Sequence, residues 1–109
     1  MKPRKYISLF EEEFEIWYRT KRTIPDMEAY LYRFQIYVED NAFGYDFTIS
    51  ERNIERYKLN EDEIIDICFN LTCGVLDTPM EEYCSVQIGK NDIVEYLMSI
   101  DASDRVEEF

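Results

Sequence analysis

After residue 58 the chain carries 13 carboxylates and only two cations, Lys90 and Arg105, a net charge of −11 within 51 residues. Ionised side chains are almost never buried unpaired. Every element in this half must therefore keep one side in water and gather its apolar residues on the other. The first 58 residues are nearly balanced, with 11 acidic and 10 basic side chains. Charge of −11 on so few residues destabilises the compact state by self-repulsion unless salt, cations or a partner offset it. Solubility alone asks for a net charge of only about 2–8 in a small domain.

The length, 109 residues, suits a single small acidic domain. A hydrophobic share of 46%, with 16% aromatic, exceeds what a disordered acidic segment carries. No apolar run approaches the roughly 18 residues of a membrane span, and no apolar signal core opens the chain.

Helical spacing dominates the pattern, which predicts a mostly α domain: a compact bundle of four to five short helices. Residues 1–5 read as a loose basic arm. Ser8 and Glu11 have capping-box spacing, and Phe10, Phe14, Trp17 and Tyr18 follow at helical intervals, giving a helix over about 9–22. Pro25 and Asp26 signal a second start, with Met27, Tyr30, Leu31, Phe34 and Val38 on one face. A rival pattern occupies the same stretch, because Tyr30, Tyr32, Phe34, Ile36 and Val38 also alternate strictly. As a strand, it would form a hairpin within about 30–49, its partner being Tyr45–Ile49 across residues 40–44, and the class would become α+β. The start signals favour helix.

Ser50 caps a short helix over Glu51–Leu59. Asn60 caps the next, with Glu63 in the reciprocal position and Ile64, Ile65, Ile67, Cys68, Leu71 and Val75 as its apolar face; Gly74 is a plausible stop. Thr78-Pro79-Met80-Glu81 repeats the start pattern, and Gly89 ends that element. Asn91 opens the last helix, with Ile93, Val94, Leu97, Met98 and Ile100 inward. Residues 102–109 read as a frayed acidic tail.

The chemistry-bearing patterns are mostly negative. With no histidine in the chain, the commonest general base and the Ser-His and Cys-His pairs are absent. Cys68, Cys73 and Cys84 form no Cys-x-x-Cys pair, so they read as free thiols in a reducing compartment, the cytoplasm. Asp40–Glu51 has the length of a calcium loop, but Ala42, Gly44 and Tyr45 stand where oxygen ligands and the turn glycine belong. Gly89-Lys90-Asn91 lacks the upstream glycine and following hydroxyl of a phosphate loop. Arg52, Arg56, Tyr57 and Lys58 are offset by Glu51 and Glu55, so no direct nucleic-acid contact is expected. The expectation is a non-enzymatic protein with no metal and no cofactor.

What remains is the acidic half. Glu61, Asp62, Glu63, Asp66, Asp77, Glu81, Glu82, Asp92 and Glu95, with Tyr83 and Tyr96 among them, are the candidate partner-binding residues. Carboxylates on rigid helices can stand in for phosphates before a basic groove, and tyrosine is a favoured interface residue. The pattern points to an inhibitor or immunity-type protein that blocks a basic, nucleic-acid-binding surface of a partner, such as a nuclease. Phage proteins that disarm restriction or CRISPR nucleases use the same strategy. The rival reading is a structural or regulatory subunit, for instance a homodimer, that associates through apolar helix faces while its charge serves solubility.

Overall fold

The computed structural model describes residues 4–9, 11–76 and 83–106. It corrects the mostly helical expectation. Five strands, β1 (Arg4–Leu9), β2 (Glu12–Ile24), β3 (Ala29–Val38), β4 (Asn41–Ser50) and β5 (Tyr83–Gln87), form one sheet in sequence order. Three α-helices accompany it: α1 (Glu51–Tyr57), α2 (Glu61–Val75) and α3 (Lys90–Ser99). The first four strands are an antiparallel meander, and β5 joins β4 in parallel after the α1–α2 crossover.

The helix expected over 9–22 is β2, and Arg4 and Lys5 of the expected arm begin β1. The physical reason is the residue alternation. Phe14, Ile16 and Tyr18 lie on one side of β2, while Glu13, Glu15 and Trp17 lie on the other. Over 29–38 the strand pattern prevails as well: Tyr32, Phe34, Ile36 and Val38 are buried at every second position. The hairpin partner contains Tyr45–Ile49, with Phe34 opposite Tyr45 and Tyr30 opposite Ile49, but the turn is tighter than 40–44 because Val38 already pairs with Asn41.

Glu11, Glu28 and Glu39, at the three meander connections, have φ of 62°, 50° and 54°. This left-handed conformation is the one glycine or asparagine usually supplies in a hairpin. The turns were therefore hidden by glutamates.

The second half follows the sequence more closely. Ser50 accepts from Asn53 N at 3.1 Å and starts α1. Asn60 and Glu63 form the reciprocal capping box of α2, at 2.9 and 3.0 Å. The last helix begins one residue before the expected Asn91 start: Gly89, expected to end a preceding short helix or turn, is the N-cap of α3 and its N–H donates to Asp92, while the element before it is strand β5. The Thr78–Glu81 start falls outside the described residues.

Ile64, Ile67, Cys68 and Phe69 of α2, and Ile93 and Leu97 of α3, share one core with the inner sheet side chains. Phe34 stands edge-on to Phe47 of β4 and to Phe69 of α2, with centroids 5.5 and 5.1 Å apart. The helices thus cover one face of the sheet with their apolar sides and turn their acidic sides outward. None of the helices is long and apolar enough to cross a membrane, among the described residues.

Candidate functional site

Because α2 and α3 pack side by side on the sheet, their polar edges meet in a groove of about 150 Å³ lined by Ile67, Asn70, Leu71, Asp92, Glu95, Tyr96 and Ser99. Ile67 is buried, so the groove has an apolar base and polar walls. Tyr96 donates its hydroxyl to Asp66 Oδ2 at 3.2 Å, tying α3 to α2. Burial, then the charge of Asp66 and the bond to it, push the Tyr96 phenol up to about 12. It remains a neutral donor at physiological pH.

The expected acidic face is therefore only partly assembled. Asp66, Asp92, Glu95 and Tyr96 come together at the groove, and exposed Asp62 lies one helical turn before Asp66. Glu61 and Glu63 sit nearer the α2 N-terminus, and both are engaged. Glu61 Oε1 receives Lys21 Nζ of β2 at 3.0 Å. Glu63 accepts both Arg105 Nη atoms, at 3.0 and 2.5 Å, while Arg105 also donates to the Lys58 carbonyl at 3.1 Å. Asp92 is committed to the α3 cap at 2.8 Å. Asp77, Glu81 and Glu82 lie outside the described residues, as does the side chain of Tyr83, whose backbone opens β5.

The Arg105 guanidinium, helped by the Asn60 N–H and opposed by burial, holds the Glu63 carboxyl below the usual carboxylate range. A carboxyl whose folded pKa is depressed stabilises fully above its unfolded pKa, about 4.3, and less as pH falls through the folded value. Glu63→Gln is therefore expected to cost about 1.5–3 kcal/mol at neutral pH, the range of hydrogen bonds to charged groups. As pH falls through that depressed folded value, the difference from the parent protein should close. Urea unfolding at neutral and at strongly acidic pH checks this; a penalty independent of pH would contradict the assignment.

Neither Cys68 nor Cys73 is an activated thiol. Burial pushes Cys68 far up, and burial also raises Cys73 against a small opposing effect of Lys5. All three cysteines are free. No group of three or more His, Cys, Asp or Glu among the described residues is placed to hold a metal ion.

Sequence reasoning missed a second surface. The side of the sheet away from the helices presents Trp17 and Tyr37 half-buried and Tyr6 53% exposed. Arg4 lies over both the Tyr6 and Trp17 rings, at 5.3 and 4.8 Å. On the same side Asp46, 1% exposed, accepts both arms of the Arg33 fork at 2.7 and 2.8 Å. The signal was available in the odd-numbered positions of 13–17 and 31–37, but reading it required treating both stretches as strands.

No family model, curated protein or solved structure matches the chain, so the expectation of an inhibitor or immunity-type protein gains no support from relatives and the functional reading rests on the chain's own residues.

Proposed function

We propose that this is a non-enzymatic binding protein whose acidic, tyrosine-containing helical face occupies a basic, nucleic-acid-binding surface of a partner protein. The observation that carries the reading is the α2–α3 groove. There Asp66, Glu95 and Tyr96 are fixed on two helices that share a core, within the half of the chain whose net charge is −11. Charge held on a rigid frame is what a surface built to track phosphates responds to first. Tyr96 supplies a rigid hydroxyl among the carboxylates. The free thiols suit a reducing compartment, and the reading places the protein in the cytoplasm.

The test uses Asp62→Asn, Asp66→Asn and Glu95→Gln together. Glu63 and Asp92 are left alone because they hold Arg105 and the α3 cap. The parent protein, immobilised in native extract at low salt, is expected to retain a nucleic-acid-handling protein. That protein should elute between roughly 0.2 and 0.5 M salt, as screening of exposed charge requires, and free nucleic acid should compete for it. The triple variant is expected to bind about thirtyfold more weakly, roughly 2 kcal/mol, mostly through slower association. Equal retention of the triple variant would overturn the acidic-face reading.

A further inference from the structure

With the helices in place, the outer face of the sheet is a broad surface that, among the described residues, is not acidic and that no described helix covers. Its residues are those favoured in interfaces, aromatic side chains and arginine. They are already held in position. Arg4 and Arg19 lie over the Trp17 ring, at 4.8 and 5.7 Å from its centroid, and Trp17 donates Nε1–H to Glu15 Oε2 at 2.6 Å. Tyr37 donates to Gln35 Oε1 at 2.8 Å. Anchors fixed in advance lose little conformational freedom on binding.

We propose that this face binds a second copy of the chain, sheet against sheet about a two-fold axis. Charge selects that occupant. Arg4, Arg19, Arg22 and Arg33 stand against Glu13, Glu15 and Asp46 on this face, so it is near neutral in a chain of net charge −12. A basic partner finds no complement there, and nucleic acid is repelled by the chain as a whole. A second copy meets a near-neutral surface and turns both acidic helix layers to opposite poles. With layers about 10 Å apart, those poles are separated by roughly 30 Å, more than three Debye lengths of about 8 Å at physiological salt.

Area agrees. Strands about 4.8 Å apart and rising about 3.3 Å per residue give four to five strands of six to ten residues roughly 500–700 Å² per copy. The total, roughly 1,000–1,400 Å², reaches the ~1,000 Å² expected of a specific interface. This surface is distinct from the α2–α3 groove, so the two readings stand or fall separately.

Trp17 is the only tryptophan, and its fluorescence reports on the proposed interface directly. The experiment is sedimentation equilibrium of the full chain over a range of concentrations at 0.05 and 0.5 M NaCl, with acrylamide quenching of Trp17 in parallel. The expected result is a monomer–dimer equilibrium with quenching falling as dimer forms. Association should be tighter at the higher salt, because screening relieves repulsion between like-charged copies; the groove's partner should show the opposite salt response. Tyr6→Glu, at an exposed position on the strand at the sheet edge, and separately Gln35→Glu near its centre, are expected to weaken the dimer at least thirtyfold. Circular dichroism should show both variants folded. A monomer at every concentration, or a dimer that both variants leave intact, would overturn the proposal. So would Trp17 protection by single-stranded oligonucleotide, for which aromatic–arginine sheets are also a platform, without any dependence on protein concentration.

Discussion

Phe34→Ala is expected to remove about 3–5 kcal/mol of stability, the range for truncating a fully buried phenylalanine. The side chain is 0% exposed at the middle of β3. It meets Tyr18 of β2, Phe47 of β4 and Phe69 of α2, so one truncation opens a void touching three other elements. Edge-to-face pairing adds about 0.5–1.5 kcal/mol per aromatic pair beyond burial. Against a total of about 5–15 kcal/mol, a loss of this size leaves little margin, and the melting temperature should drop by roughly 15–25 °C. Leu31→Ala, on the outer face of the same strand, is the control and should cost about 1 kcal/mol. Calorimetry of the two variants settles the layering. Equal losses would mean that the helices do not cover the Phe34 side of the sheet.

Arg33→Ala is expected to be the second most damaging change, at about 2–3 kcal/mol. The cause lies in what stays behind. Asp46 has a side chain 1% exposed, and loss of the guanidinium removes two short charge-assisted bonds from a carboxylate that water cannot reach. The half-exposure of Arg33 keeps the cost below that of a fully buried pair. Arg33→Lys should recover only part of it, because an ammonium cannot form the two-pronged contact. The double replacement Arg33→Met with Asp46→Leu should be less destabilised than the sum of the single changes. Strict additivity in urea unfolding would show that the two groups do not depend on each other.

The half of the fold that the sequence announces is the half where side chains cap the backbone. Ser50, and Asn60 with Glu63, mark helix starts through contacts within three residues, and such local signals survive without tertiary information. The strands failed for the opposite reason. Phe14, Trp17 and Tyr18 fit a helical stripe as well as two alternating faces, because the outer face of β2 carries an aromatic residue where a solvated sheet usually carries polar ones. The turns offered no correction, since Glu11, Glu28 and Glu39 occupy positions where glycine would have signalled a reversal.

The candidate site was legible as composition and illegible as geometry. An excess of carboxylates near Asp66 and Glu95 could be counted. That Glu63 turns toward Arg105, 42 residues away, depends on how the last 3₁₀ turn (Ser103–Val106) packs against the α1–α2 corner.

The length of β2 has one more consequence. Among the described residues, β1 covers β2 only from Glu12 to Trp17, so Tyr18–Ile24 forms an open margin of the sheet. An open strand is a template on which other chains can polymerise, and lysine or arginine placed along it is the usual deterrent. Arg19, Lys21 and Arg22 stand on that margin. In so acidic a chain, three of the few cations are gathered where they guard against fibre growth.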